Sequence, residues 1–290
     1  MATGCDVARS ALISMRVPNR GRSFSILRAQ YPMAEAPATD LRRTPCRLVL
    51  LPGMDGTRLL FRPLLAALPE WIGAEVVRYP VRGPNRYEDL LPLVADRVAR
   101  GGPCIVLGWS FSGPLALRVA CLQPQCVRGV ILAASFVSPP SMALARLRLL
   151  VRGPTFSAVR LLRRLPIWLL RPRTDRLRRD KAVLWRRVPA RTLAVRARDV
   201  LAVDARDALS RCPCPLLYIA ADSDAVVPLR NATAILRARP DVAVETIRGG
   251  HLALYTDPAA SSRSIASFVK RCAERTAHTT TALRPPSGAP

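Results

Sequence analysis

Residues 104–117, CIVLGWSFSGPLAL, begin as an apolar run, break into Gly108, Ser110, Ser112 and Gly113, and resume with a helical look from Pro114. Gly-x-Ser-x-small between a strand and a helix is the pattern of a nucleophile elbow. The turn there is so sharp that the serine takes a strained backbone conformation and its hydroxyl stands clear of the sheet. Strand and helix come close together, so the positions two before and two after the serine must be small. Gly108 and Ser112 meet that demand. A helix starting just after Ser110 also aims amide donors and the positive end of its dipole at developing negative charge.

On either side of this stretch the chain alternates regularly. CRLVLLPG (46–53), GAEVVRYP (73–80), CIVLGWS (104–110), VRGVILAASF (127–136), PLLYIAADSD (215–224) and DVAVETIRGG (241–250) read as strands. GTRLLFRPLLAALP (56–69), YEDLLPLVADRVAR (87–100), SGPLALRVACLQ (112–123), PLRNATAILRARP (228–240) and PAASSRSIASFVKRCAE (258–274) read as the helices between and after them. Continuous apolar strands alternating with amphipathic helices predict an α/β fold, a mostly parallel, doubly wound sheet covered on both faces. Such sheets bind their substrates beyond the carboxyl ends of the strands.

Residues 137–199 interrupt the alternation. They carry Leu/Arg helical patterns broken by Pro154, Pro166, Pro172 and Pro189, and they predict a helical cap inserted over the carboxyl edge of the sheet. Residues 1–40 are polar, Arg-rich and aperiodic, and they read as a disordered or non-native extension. A chain starting at Met33 is expected to fold and keep its activity. The domain proper is placed at 41–275, and the segment 276–290 reads as a disordered tail.

A net charge of +25 raises the question of nucleic acid, but only Lys181 and Lys270 among the 45 basic residues are lysines. With so many Ala, Pro and Leu, the arginine excess reads as the coding bias of a GC-rich genome rather than a phosphate track, and no specific nucleic-acid partner is expected. Neither of the longest charge-free stretches, 101–117 and 129–145, supplies the roughly 20 predominantly apolar residues of a spanning helix. The first residues lack the apolar segment of an export signal, so a cytoplasmic location is expected. The eight cysteines are scattered without a CxxC pair and read as reduced thiols.

A serine hydroxyl needs a base to take its proton, usually a histidine oriented by a carboxylate. The chain has two histidines. His278 lies in the polar tail, whereas His251 follows RGG directly after the last predicted strand, at the active edge. Between Ser110 and His251, DSDAVVP ends the preceding strand with two acids. Asp224 is placed to accept the imidazole N–H, and Asp222 is its nearest rival.

With Ser…Asp…His in that order, the sequence resembles the α/β-hydrolase superfamily of lipases, esterases and thioesterases over about 44–275. GWSFSG (108–113) matches the elbow, LLPGMDGT (50–57) the oxyanion loop, DAVVP (224–228) the acid loop and GGHL (249–252) the histidine loop. The resemblance implies Ser110 as nucleophile, His251 as base, Asp224 as orienting acid, and the backbone N–H groups of Met54 and Phe111 as oxyanion hole. Two positions depart from the family pattern: Pro52 stands where a histidine is common, and Ser112 replaces the second elbow glycine. Asp55 and Thr57 read as caps of the following helix.

The expected activity is therefore hydrolysis of a carboxylic ester or thioester through an acyl-enzyme, with no metal and no cofactor. Two alternatives stay open, an acyltransferase using the same residues and a non-enzymatic basic binding protein. The arginines between Arg146 and Arg187 face only Asp175 and Asp180, with Phe156, Trp168 and Trp185 interleaved. An amphipathic cap with its arginines in water explains them. A basic face for an acyl-carrier protein or an anionic membrane surface, above an apolar tunnel for the acyl chain, remains the functional version. The GWS elbow is also similar to that of carboxyl-esterases that release a methyl ester from a carrier-bound acyl chain.

Overall fold

The computed structural model describes residues 46–141, 145–146, 148–154, 157 and 175–282. Six strands, β1 (Cys46–Leu51), β2 (Ile72–Val76), β3 (Cys104–Trp109), β4 (Val127–Ala133), β5 (Leu216–Ala221) and β6 (Ala243–Ile247), form one sheet in the order β2-β1-β3-β4-β5-β6. Every neighbouring pair is parallel. The chain steps outward from β1 to β2, then returns past β1 to start β3. The order thus reverses between β1 and β3, whose carboxyl ends border the crevice where open parallel sheets bind ligands.

Successive side chains of a strand point to opposite faces, and here both faces are covered. Leu48 and Leu50 of β1 and Ile105, Leu107 and Trp109 of β3 pack on one side with α1 (Arg62–Ala67), α8 (Ala253–Thr256) and α9 (Pro258–Ala282). Val49, Leu51, Val106 and Val130 pack on the other with α2 (Tyr87–Ala99), α3 (Gly113–Leu122), α6 (Arg206–Arg211) and α7 (Arg230–Ala238). Each fully buried Leu, Ile or Val contributes about 1.5–3 kcal/mol. That double burial is why the strands read as continuous apolar runs.

Differences from the expected elements have local causes. The helix expected from residue 56 starts later, as a 3₁₀ turn at Leu59–Phe61 followed by α1. The Asp55 carboxylate accepts the Thr57 N–H and hydroxyl, and the Thr57 hydroxyl accepts the Leu59 N–H, so side-chain bonds replace the first helical turn. β4 stops at Ala133 because Ala134 turns into the left-handed region, at φ 44°. Of the insertion, a 3₁₀ turn at Arg148–Leu150 and the helices α4 (Asp175–Arg187) and α5 (Ala190–Val200) are described; α6 was not anticipated. On α4, Leu177 and Leu184 are buried against the sheet-side core, whereas Arg176, Arg178, Arg179, Arg186 and Arg187 are exposed.

The expected extension at 1–40, Phe156 and Trp168 lie outside the described residues, as do the side chains of Trp185 and His278. Helix α9 continues to Ala282, into the segment read as a tail from Thr276, and 283–290 lie beyond the described chain. Cys46, Cys104, Cys121, Cys212 and Cys214 are free thiols. Among the described residues no helix is long and apolar enough to cross a membrane.

Candidate active site

The elbow forms at the carboxyl end of β3. Ser110 has a positive φ of 51°, a left-handed conformation that costs a non-glycine residue roughly 1–2 kcal/mol. A Cβ on Gly108 would sit 2.5 Å from the Ser112 carbonyl oxygen and 2.8 Å from the Gly113 Cα, so only glycine lets strand and helix approach this closely. The strained serine is held from behind: the Ser135 hydroxyl donates to the Ser110 carbonyl at 2.6 Å, and Tyr218 in turn donates to the Ser135 carbonyl at 2.8 Å.

Ser110 Oγ lies 2.8 Å from His251 Nε2, and His251 Nδ1 lies 2.8 Å from Asp224 Oδ2. His251 sits in the loop between β6 and α8, and Asp224 in the loop after β5, so the sheet brings together residues 141 and 27 positions apart. The Asp224 side chain is 1% exposed and the His251 side chain 19%. The other carboxylate oxygen, Asp224 Oδ1, accepts the Val226 and Val227 amides at 2.8 Å each. Burial alone would raise the Asp224 pKa, but the hydrogen bond and charge of His251, with those amides, outweigh it and hold the carboxyl below the ordinary aspartate range. Asp222 plays a different part. It is exposed, and its Oδ1 accepts the Gly249 amide and the Ser223 hydroxyl at 2.9 Å each, bracing the loop that carries His251.

Met54 and Phe111 stand on the two segments that border the switch point, since Leu51 and Gly108 are paired at the ends of β1 and β3. Both have their carbonyls held by side-chain donors. Tyr87 donates to the Phe111 carbonyl at 2.8 Å and stacks on the Phe111 ring at 4.6 Å. Arg196 donates to the Met54 carbonyl at 2.7 Å. Ser112 has a use that a glycine at this position lacks. Its hydroxyl donates to the Pro52 carbonyl and accepts from the buried Tyr79 hydroxyl at 2.7 Å, tying the elbow to the loop after β1. The sequence reading missed Tyr79, Tyr87, Ser135 and Arg196. Only the Thr192-x₃-Arg196-x₂-Asp199 spacing, which puts three polar residues on one face of α5, could have drawn attention to the last.

The segment 22–262 matches the model of the alpha/beta hydrolase family, a match that starts inside the extension expected at 1–40. A polyketide synthase, ThaQ of Burkholderia thailandensis, is 32% identical over 97 residues, which is 30% of this chain and 5% of that protein. The pimeloyl-[acyl-carrier protein] methyl ester esterase of Yersinia pseudotuberculosis is 33% identical over 94 residues, 31% of this chain and 36% of that protein. The chain thus spans well under half the length of either relative. Among solved structures, a hydrolase from Pseudomonas aeruginosa superposes with a TM-score of 0.61 at 24% identity, covering 77% of this chain and 89% of that one. A family match over most of the sequence, on a parallel sheet whose switch point carries a strained serine beside a histidine and an acid, has one reading: the chain belongs to the alpha/beta hydrolase family.

Proposed function

We propose that the protein is a serine hydrolase of carboxylic esters or thioesters, working through a Ser110–His251–Asp224 triad and an acyl-enzyme. The observation that carries this is the relay of 2.8 Å and 2.8 Å contacts ending on a serine in a left-handed turn. With its Nδ1–H bonded to Asp224, His251 presents an unprotonated Nε2 to the Ser110 hydroxyl. As Ser110 Oγ attacks the acyl carbonyl, Nε2 takes its proton, and the Asp224 carboxylate stabilises the imidazolium. The Met54 and Phe111 amides receive the charge that develops on the carbonyl oxygen. His251 returns the proton to the departing alcohol or thiol. Water, deprotonated by His251 in the second half-reaction, then releases the acid and restores Ser110.

The substrate is proposed at the level of an acyl ester or thioester, with an acyl-carrier protein as its bearer. The support is an ester-hydrolysing relative whose name specifies such a carrier, and the row of exposed arginines on α4 above buried Leu177 and Leu184. The test is labelling with a fluorophosphonate probe, followed by turnover of p-nitrophenyl esters and acyl thioesters of graded chain length. Wild type should label and Ser110→Ala should not. A wild type that fails to label, or a Ser110→Ala variant that labels equally, refutes the reading.

A further inference from the structure

We propose that Arg196 is a positioning residue for the oxyanion loop, through which helix α5 of the cap sets the Met54 peptide; the inference rests on the reading of Ser110 as the acyl nucleophile. Arg196 is fully buried. Its Nη1 donates to the Met54 carbonyl at 2.7 Å, its Nη2 to the Pro80 carbonyl at 2.9 Å, and its Nε and Nη2 to Asn85 Oδ1 at 3.1 and 2.5 Å. The guanidinium also lies over the Tyr79 ring, 5.5 Å from its centroid. A planar fork with donors on three nitrogens can address these three oxygens at once, which a lysine ammonium on a flexible stem cannot.

The loop is shaped around this side chain. Gly56 has a φ of +72°, and a Cβ there would lie 2.5 Å from Arg196 Nη1, so the guanidinium occupies the space that any other residue would fill. Burial pulls the Arg196 pKa down to about 10, while the Tyr79 hydroxyl and the Asp55 carboxyl nearby favour its charged form, so it stays a cation at neutral pH. A buried cation is stable only while its acceptors surround it. The Met54 carbonyl is therefore not free to leave it. Met54 N–H is the proposed oxyanion donor, and anchoring the carbonyl of the same residue, one φ and one ψ away, restricts the directions in which the loop can carry that N–H.

The other end of the linkage is α5 itself. Thr192 donates to the Val81 carbonyl at 2.8 Å, and Asp199 accepts the Tyr87 amide at 2.6 Å, so Thr192, Arg196 and Asp199 seat one helical face on the segment after β2. Asp199 and Tyr87 lead onward to Phe111, whose carbonyl Tyr87 holds. Both proposed oxyanion residues are thus referenced to α5. Helix α5 carries the brace that aligns the hole.

The experiment compares wild type, Arg196→Ala and Asn85→Ala on a p-nitrophenyl ester, with melting curves for each. In Arg196→Ala, kcat should fall on the order of tenfold to a hundredfold with KM changed less than about threefold, because misplacing a donor weakens the transition state rather than substrate binding. A boronic acid, which forms a tetrahedral adduct on Ser110, should lose affinity by the same factor as kcat/KM. Added methylguanidinium should restore kcat about fivefold in Arg196→Ala and leave wild type unchanged, a rescue that general destabilisation does not produce. A folded Arg196→Ala with kcat within twofold of wild type, or with its whole loss in KM, overturns the proposal. Should Arg196→Ala fail to fold, Asn85→Ala decides: it keeps the guanidinium but removes two of its bonds, so kcat should fall severalfold at constant KM, and unchanged kcat overturns the proposal. A wild type inert to both fluorophosphonate and esters overturns the Ser110 reading and this inference with it, whereas an active wild type with insensitive variants overturns this inference alone.

Discussion

Replacing Asp224 with asparagine tests the proposed relay at its least visible member. In the native site Asp224 Oδ2 faces His251 Nδ1 at 2.8 Å, while Oδ1 is occupied by the Val226 and Val227 amides. An asparagine keeps its carbonyl oxygen on those two amides, which fixes its NH₂ group toward His251. That donor needs a lone pair on Nδ1, so the imidazole proton moves to Nε2 and points at Ser110 Oγ. Histidine then has no base to offer. A change of tautomer at intact geometry costs on the order of 10⁴ in kcat, about 5.4 kcal/mol of barrier. Asp222→Asn serves as the control. Asp222 is exposed and needs only its Oδ1 to accept Gly249 N–H and the Ser223 hydroxyl, and asparagine retains that oxygen. Its kcat should stay within about tenfold, roughly 1.4 kcal/mol. Both variants are read by kcat on a p-nitrophenyl ester, with near-UV circular dichroism and melting curves showing that they are folded. If Asp222→Asn collapses while Asp224→Asn stays within tenfold, the assignment of the acid is wrong.

Other outcomes follow from the same geometry. Ser110→Gly should abolish turnover yet be more stable than wild type by up to about 1 kcal/mol, because glycine adopts a φ of 51° without strain; a lower melting temperature refutes the claim that the elbow is strained. Glu75 of β2 bonds the buried Arg47 near the amino end of β1, where Arg47 also donates to the Arg97, Val98 and Gly102 carbonyls. Glu75→Ala strands that charge and should cost about 3–5 kcal/mol in denaturant unfolding while leaving kcat within twofold; a loss under 1 kcal/mol refutes it. The acid limb of stability carries a third outcome. Asp224 is held below its unfolded value of about 3.9, so its ionised form adds stability above that pH, and the gain disappears as pH falls through the lower folded value. Asp224→Asn should flatten the unfolding free energy below about pH 4, and an unchanged acid limb refutes the assignment.

The fold was legible because its signals are local and repeated. Strands buried on both faces must be apolar at every position, and helices lying on them must be apolar on one side, so the alternation from Cys46 to the start of α9 announced a covered parallel sheet. The elbow was legible for the same reason, since Gly108, Ser110 and Ser112 are forced by a turn that five consecutive residues make. His251 stood out by scarcity and by its place after a strand. The distinction between Asp222 and Asp224 was already half-written, because only one of them has the step Ala225-Val226-Val227 whose amides can close around a carboxylate.

Other features had no local cause to leave a trace. Arg196 contacts Met54 across 142 residues, and in the sequence it is one arginine among many, next to a helix α4 whose five described arginines are exposed. Ser112 read as a departure from a small-residue pattern, and its worth depends on the Pro52 carbonyl and the Tyr79 hydroxyl arriving from two other loops. Tyr87 and Ser135 likewise pass for ordinary residues until the sheet places Phe111 and Ser110 against them. Sequence periodicity records which side of an element meets the core, because that constraint recurs every two or 3.6 residues. A hydrogen bond between side chain and distant backbone is a single event of three-dimensional geometry, and only the folded chain decides it.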